Sequence, residues 1–334
     1  MDSPVKPKIR DVCHPSLYYL DGDVVLSTSK VKVAAEDEDA ITENTFFRVD
    51  STVLLRQSTM LGRYMPNTHY DGVPHLQVPA DSRDLAQLLS ALYDMSTLNP
   101  LPRDPDMPLE MLGLLKLAIQ YSIDPVRKVI QRSLFEAWPQ TLKDWDDQRD
   151  QISRAAIQCT RPGAGGKLHG KYLDEMFPEP AAALHLSIEC NIWQIVPCAL
   201  YQLALIDPQD QWGYADEAHL RAGQRSARWE LLDTPVLSRA ELGRIKLIGL
   251  QHGQLEIPLE RARDCPLYTC TVVLESLKES KRDNLDYLYT LKLLQDQAAE
   301  TLCARCRPRT LSAIRAHRRA FWKNLPAFFN LIRH

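Results

Sequence analysis

Alternating and helical hydrophobic patterns succeed one another along this chain and predict its elements in turn. Asp23-Val-Val-Leu26 reads as a short strand and Phe46 to Val49 as its partner. From Ser51 the spacing becomes helical, with Val53, Leu54, Met60, Leu61 and Met65 available to a core, which predicts two short helices. His75-Leu-Gln-Val-Pro79 alternates as a third strand that Pro79 ends. Asp81 or Ser82 can cap the next helix, where Leu85, Leu88, Leu89 and Leu92 share one face. Leu109 to Ile123 is apolar almost all round and predicts a helix buried on most sides. Asp124-Pro125 then opens a helix with Val126, Val129, Ile130 and Leu134 at core spacing.

The pattern weakens from Trp138 to Phe177, which is expected to be a linker. Its Pro162-Gly-Ala-Gly-Gly-Lys167 segment has Arg161 and Leu168 where a phosphate loop needs Gly and Ser or Thr, so the glycines predict a flexible crossing. From Pro180 the chain turns helical again, with Ala182 to Cys190 and Ile195 to Leu205 as an antiparallel pair. That apolar region is long enough to cross a bilayer, but a charge such as Glu189 near its centre would cost roughly 2.5 kcal/mol or more, so a buried pair is expected. Further on, Leu288, Leu291, Leu294, Ala298 and Leu302 predict one long helix.

Composition narrows the class without changing these elements. A chain of 334 residues, 45% hydrophobic and 25% charged, has the make-up of an ordinary globular protein of about two domains. A net charge of −3 gives no whole-chain argument for nucleic acid or membranes. The first ten residues hold no apolar run, so no signal peptide is expected there. Without one, eight cysteines imply free thiols in a reducing compartment, and the expected location is intracellular, cytoplasmic or nuclear. Local charge is uneven. Glu36-Asp-Glu-Asp39 predicts a solvated loop or hairpin extension between the first two strands.

Candidate chemistry is sparse. Cys303-x-x-Cys306 is the nearest approach to a metal-ligand pair, and Cys265 and Cys270, with His317, could complete a tetrahedral zinc site. Against this, an unbroken helix before Cys303 would hold Cys270 tens of ångströms away at about 1.5 Å per residue, unless it folds back at Lys281-Arg-Asp-Asn284. Buried thiols are therefore the expected reading, with no metal and no cofactor. Residues 301–334 carry eight Arg and Lys and no carboxylate, with Phe321, Trp322, Phe328 and Phe329 interleaved, which admits nucleic acid as an alternative to an amphipathic helix. The sequence holds no Gly-x-Ser-x-Gly, no His-Glu-x-x-His and no dinucleotide fingerprint, and an enzyme is not expected.

The opening Asp21-Gly-Asp-Val, the Phe47-Arg-Val49 that follows, Val53-Leu54 and Ser58 resemble the BTB/POZ domain. Asp50 stands where that family usually has His, and Leu61 where it usually has Phe. Downstream, Ala183-Leu-His-Leu-Ser-Ile-Glu-Cys190, Ile195 to Tyr201, Ala227 to Leu232 and Cys303 to Leu331 are similar to the helical region that follows this domain in a large mushroom-type fungal group. The resemblance implies an α+β fold: a lead-in at 1–13, a BTB/POZ domain at 14–138, a linker at 139–178 and a helical domain at 179–334. It implies an adaptor or scaffold that forms a homodimer and recruits protein partners. Alternatives are a substrate receptor for a cullin homologue in a ubiquitin ligase, or a nuclear regulator binding nucleic acid through the basic C-terminus. Carried over by position, the interaction residues are Asp21, Asp23, Val24, Phe47, Val49, Asp50, Val53, Leu54 and Ser58.

Overall fold

The computed structural model describes residues 8–32, 41–58, 60, 68–213, 220, 222–253, 255, 257–279 and 284–331. Residues 1–7 of the lead-in, the acidic run 36–39, Leu61 and Met65 of the second short helix, residues 281–283 and Arg333 lie outside them. The chain is mixed α+β and divides into two compact units. The first comprises residues 1–102 and 107–134, and the second residues 103–106 and 135–334.

The first unit is built on a five-stranded sheet. Its strands are β1 (Lys8–Tyr18), β2 (Val24–Lys32), β3 (Ile41–Val49), β4 (His69–Tyr70) and β5 (Val73–Gln77). Their order is β1-β3-β2-β5-β4. β2 and β3 pair antiparallel with Val24 opposite Val49 and Leu26 opposite Phe47, while β1 runs parallel to β3 and β5 parallel to β2. Both predicted strands are longer than their alternation indicated. The lead-in is corrected too: Lys8 to Cys13 form part of β1.

Val24 to Thr28 are all buried, because β2 is the central strand and is covered on both faces. On one face Phe46 stacks on Tyr70 with ring centroids 4.2 Å apart, and Ser27 Oγ lies 2.8 Å from His75 Nε2. The turn into β2 requires Gly22, since a Cβ there would lie 2.9 Å from the Val49 nitrogen. The helices are α1 (Ser51–Gln57), α2 (Ser82–Tyr93), α3 (Met107–Gln120) and α4 (Asp124–Ala137), the last running into the second unit. Asp81 caps α2 as expected: its Oδ1 accepts from the Arg83 N–H at 2.9 Å. Leu85, Leu88, Leu89 and Leu92 are buried along that helix, and α3 buries Met111, Leu114, Leu115 and Ala118.

The second unit is helical apart from a two-stranded hairpin, β6 (Lys167–Leu168) and β7 (Lys171–Tyr172). The expected linker at 139–178 is overturned. It contains the 18-residue helix α5 (Leu142–Cys159), opened by a capping box between Thr141 and Asp144. Its apolar positions are few, but Trp145, Ile152, Ala155 and Cys159 fall on one buried face. The remaining helices are α6 (Pro180–Glu189), α7 (Val196–Ala204), α8 (Thr234–His252), α9 (Tyr268–Glu279), α10 (Tyr287–Thr301), α11 (Cys306–Lys323) and α12 (Leu325–Phe328). No helix among the described residues is long and apolar enough to cross a membrane.

Buried carboxylates fasten this unit where periodicity is weakest. Glu179, fully buried, accepts from the Ala181 and Ala182 N–H groups that open α6 and from the Arg228 N–H at 3.2 Å. Asp174 accepts from the Ser226 N–H and hydroxyl and lies 3.4 Å from Arg225 Nε. Asp286 caps α10 through the Tyr289 N–H, accepts from the Tyr201 hydroxyl at 2.9 Å and pairs with Arg149 at 2.7 Å. Each is a buried carboxyl group that collects several donors, which is the condition for tolerating it.

Candidate functional site

Two regions carry the residues singled out in the sequence. The first surrounds the junction of β3 and α1. Asp23 turns both carboxylate oxygens to Ser51, accepting from its N–H at 2.6 Å and its hydroxyl at 2.7 Å. Those two bonds hold the Asp23 carboxyl below its ordinary range against a burial effect that raises it. Asp50 has no capping bond to α1. Instead the Tyr93 hydroxyl donates to Asp50 Oδ2 at 3.0 Å and accepts the Asp50 N–H at 2.9 Å. Burial then pushes the Tyr93 phenol up to about 12.

The predicted interaction residues do not all face outward. Val24, Phe47, Val49 and Leu54 are core, and the buried Ser58 hydroxyl donates to the Tyr121 carbonyl. In this conformation they cannot touch a partner, so their part is to hold the domain together. Asp21 and Asp23 are exposed, and Asp50 and Val53 are half-buried. The side chains available for contact are ones the sequence reading passed over. Leu20 is 83% exposed, Leu55 on the outer side of α1 is 46% exposed, and Tyr19 packs its ring 5.4 Å from that of Tyr93. Nothing in their spacing marks them, since an exposed apolar residue is recognised only once the buried face is known.

The second region is a cluster of four thiols. Cys265 comes from the irregular segment before α9, Cys270 from the first turn of α9, Cys303 from the turn after α10, and Cys306 from the start of α11. Their Sγ atoms all lie within 4.8 Å of one another, and Cys265 Sγ is 3.7 Å from Cys303 Sγ. The expected unbroken helix is corrected here: α9 ends at Glu279 and α10 begins at Tyr287, so no single helix separates the thiols, and Cys270 lies beside Cys303.

Backbone groups point into the cluster. The Cys306 N–H lies 3.5 Å from Cys303 Sγ, and the Ala262 N–H lies 3.4 Å from Cys306 Sγ. The Cys306 N–H, with that of Arg305, lowers the Cys303 thiol to about 6, whereas burial pushes Cys306 up to about 12. His317, the fifth residue considered, is elsewhere: its Nε2 lies 2.9 Å from the Tyr287 hydroxyl.

Two ion pairs join the segments that carry the thiols. Arg305 reaches the Asp264 carbonyl at 2.7 Å and its carboxylate at 3.2 Å, and Arg309 reaches Glu260 at 3.2 Å. These contacts, with the buried Arg318–Asp146 pair, occupy several of the basic residues that raised the nucleic-acid alternative. Arg307, Arg315 and Arg319 line a shallow groove on α11 with Pro308, Leu311 and Ser312.

No family model matches the chain, and no curated protein matches it.

Proposed function

We propose that this chain is a non-enzymatic protein-interaction module whose N-terminal unit self-associates, as BTB/POZ domains commonly do. The observation that carries the reading is the exposure of Tyr19, Leu20 and Leu55, the first of them packed beside the Tyr93–Asp50 clip. Large apolar side chains left exposed at the end of β1 and on α1 are costly to leave in water and are candidates for burial against a partner. The order of elements supports the same reading. An antiparallel hairpin, a short helix, a strand parallel to the first hairpin strand and then three helices follow one another as the motifs of that family do.

Asp50 shapes the proposal. A carboxyl group tied to the Tyr93 hydroxyl stands where the family usually has His. The partner that fits best is a second copy, whose matching apolar group would cover Leu20 and Leu55 around a two-fold axis. Sedimentation velocity of the full chain at tens of micromolar tests this. A dimer that Leu55→Asp converts to a folded monomer is the expected result, and a native monomer at that concentration sinks the proposal.

A further inference from the structure

We propose that Cys265, Cys270, Cys303 and Cys306 form a tetrahedral tetrathiolate site for one zinc ion, which joins the turn between α10 and α11 to the start of α9. This goes beyond the interaction reading and does not depend on it. Zinc held by four thiolates has Zn–S bonds of roughly 2.3 Å, and the edge of that tetrahedron is about 3.8 Å. The Cys265–Cys303 separation of 3.7 Å is close to that edge, all four sulfur atoms lie within 4.8 Å of one another, and the pair is far from the roughly 2.05 Å of a disulfide.

Packing alone gives no reason for this convergence. Isolated buried thiols behave as small apolar side chains and are found wherever a gap of their size exists. Cys159 and Cys198 are of that kind, each buried apart from the cluster in a helix. The four clustered cysteines come instead from segments separated by more than thirty residues, and all their sulfur atoms meet at one point.

The local architecture fits a structural ion. Residues 257–267 hold no helix or strand, yet Leu259 and Cys265 are buried, so this segment needs a discrete fastening. The Cys303-x-x-Cys306 turn supplies two ligands at the close spacing of a zinc knuckle, with a backbone N–H directed at the first sulfur. Arg261, Arg263, Arg305, Arg307 and Arg309 lie close to the ligands in sequence, and two of them tie the ligand-bearing segments together, Arg305 through Asp264 and Arg309 through Glu260. With four protein ligands the ion has no open position, which makes it structural and not catalytic.

The test begins with elemental analysis of the full chain purified under reducing conditions, where one zinc per chain is expected. Exchange with cobalt(II) should produce thiolate-to-metal charge transfer in the near ultraviolet and the intense visible bands of a tetrahedral all-sulfur site. Cys303→Ser and Cys270→Ser should abolish stoichiometric binding, while Cys13→Ser, at an exposed position outside the cluster, should retain it. Should the serine variants fail to fold, chelation of the native protein must release the zinc and make four further thiols titratable. The proposal is overturned by any of three results: a reduced protein that binds neither zinc nor cobalt, unchanged binding in a folded Cys303→Ser variant, or one iron per chain in place of zinc. A disulfide found between these cysteines in the reduced native protein would overturn it as well.

Discussion

The two units solve the same problem, fixing a chain in place, by different means. The first relies on continuous apolar faces: a central strand buried on both sides and two helices whose leucines line up on one face. Few polar side chains take part in its core as described: Ser27 meets His75, and the Ser58 hydroxyl donates to the Tyr121 carbonyl. The second contains long stretches without strong periodicity, at 160–179, 205–233 and 257–267, and fastens them with discrete groups. Glu179, Asp174 and Asp286 each collect several donors in the interior, and the four thiols fasten the last of these stretches. The difference teaches where polar residues become indispensable. Where a segment cannot bury a regular apolar face, a multivalent polar centre orders it, and such a centre fails all at once when one member is removed.

This contrast can be broken or sharpened by experiment. The largest effect is expected from metal removal, since structural zinc in small sites contributes on the order of 10 kcal/mol of apparent folding free energy. Chelation should erase hydrogen-exchange protection at residues 257–272 and 302–307 while leaving β2 and β3 protected. Loss of protection in the sheet instead would show that the two fastening schemes are not separate.

Next in size are two substitutions that compare the schemes directly. Asp286→Ala leaves Arg149 and the Tyr201 hydroxyl without their buried acceptor and should cost about 3–5 kcal/mol by denaturant titration. Phe47→Ala removes a fully buried ring from the sheet and should cost about 3–5 kcal/mol through the cavity it leaves. Their chemistry separates them: a smaller apolar residue such as Leu should recover much of the loss at position 47, whereas Asp286→Leu should recover none. Recovery at 286 would mean that its charge is dispensable.

Close packing gives a smaller test. Gly243 on α8 lies where an added Cβ would stand 2.1 Å from the Phe329 ring, so Gly243→Ala should cost about 1–3 kcal/mol, and Phe329→Leu in the same chain should relieve it. The smallest effect belongs to the cap of α2. Asp81→Ala should cost about 1 kcal/mol. The Asp81 carboxyl is held below its ordinary range by the Lys30 ammonium at 2.7 Å and the Arg83 N–H. A depressed carboxyl contributes above its unfolded value, so that contribution is lost as pH falls through the folded value and is unaffected near neutrality. An unchanged stability of the variant at both ends of that range would remove the cap from the account.

Legibility followed the same division. The helices at 82–93 and 124–137 could be read from their apolar spacing and local start signals, and the helix at 107–120 from its almost continuous apolar run. The helix at 142–159 was missed because only Trp145, Ile152, Ala155 and Cys159 face inward among many charges, although Thr141 and Asp144 form a capping box that marks its start. The residues expected to take part in interaction were chosen by their resemblance to a family pattern, which did not show which of them are exposed. Alternation places Val24 and Phe47 on faces of a sheet without saying that both faces are covered.

By itself, then, the sequence determined those elements whose order depends on near neighbours: caps, periodic faces and the short Cys303-x-x-Cys306 spacing. The tertiary structure decided what depends on distant segments meeting. It joined β1 to β3 in parallel, supplied donors to Glu179 and Asp286, exposed Leu20 and Leu55, and reversed the chain between α9 and α10. The last of these matters most. Cys270 and Cys303 are far apart along a helix and adjacent across a reversal, and helical periodicity on either side is the same in both cases.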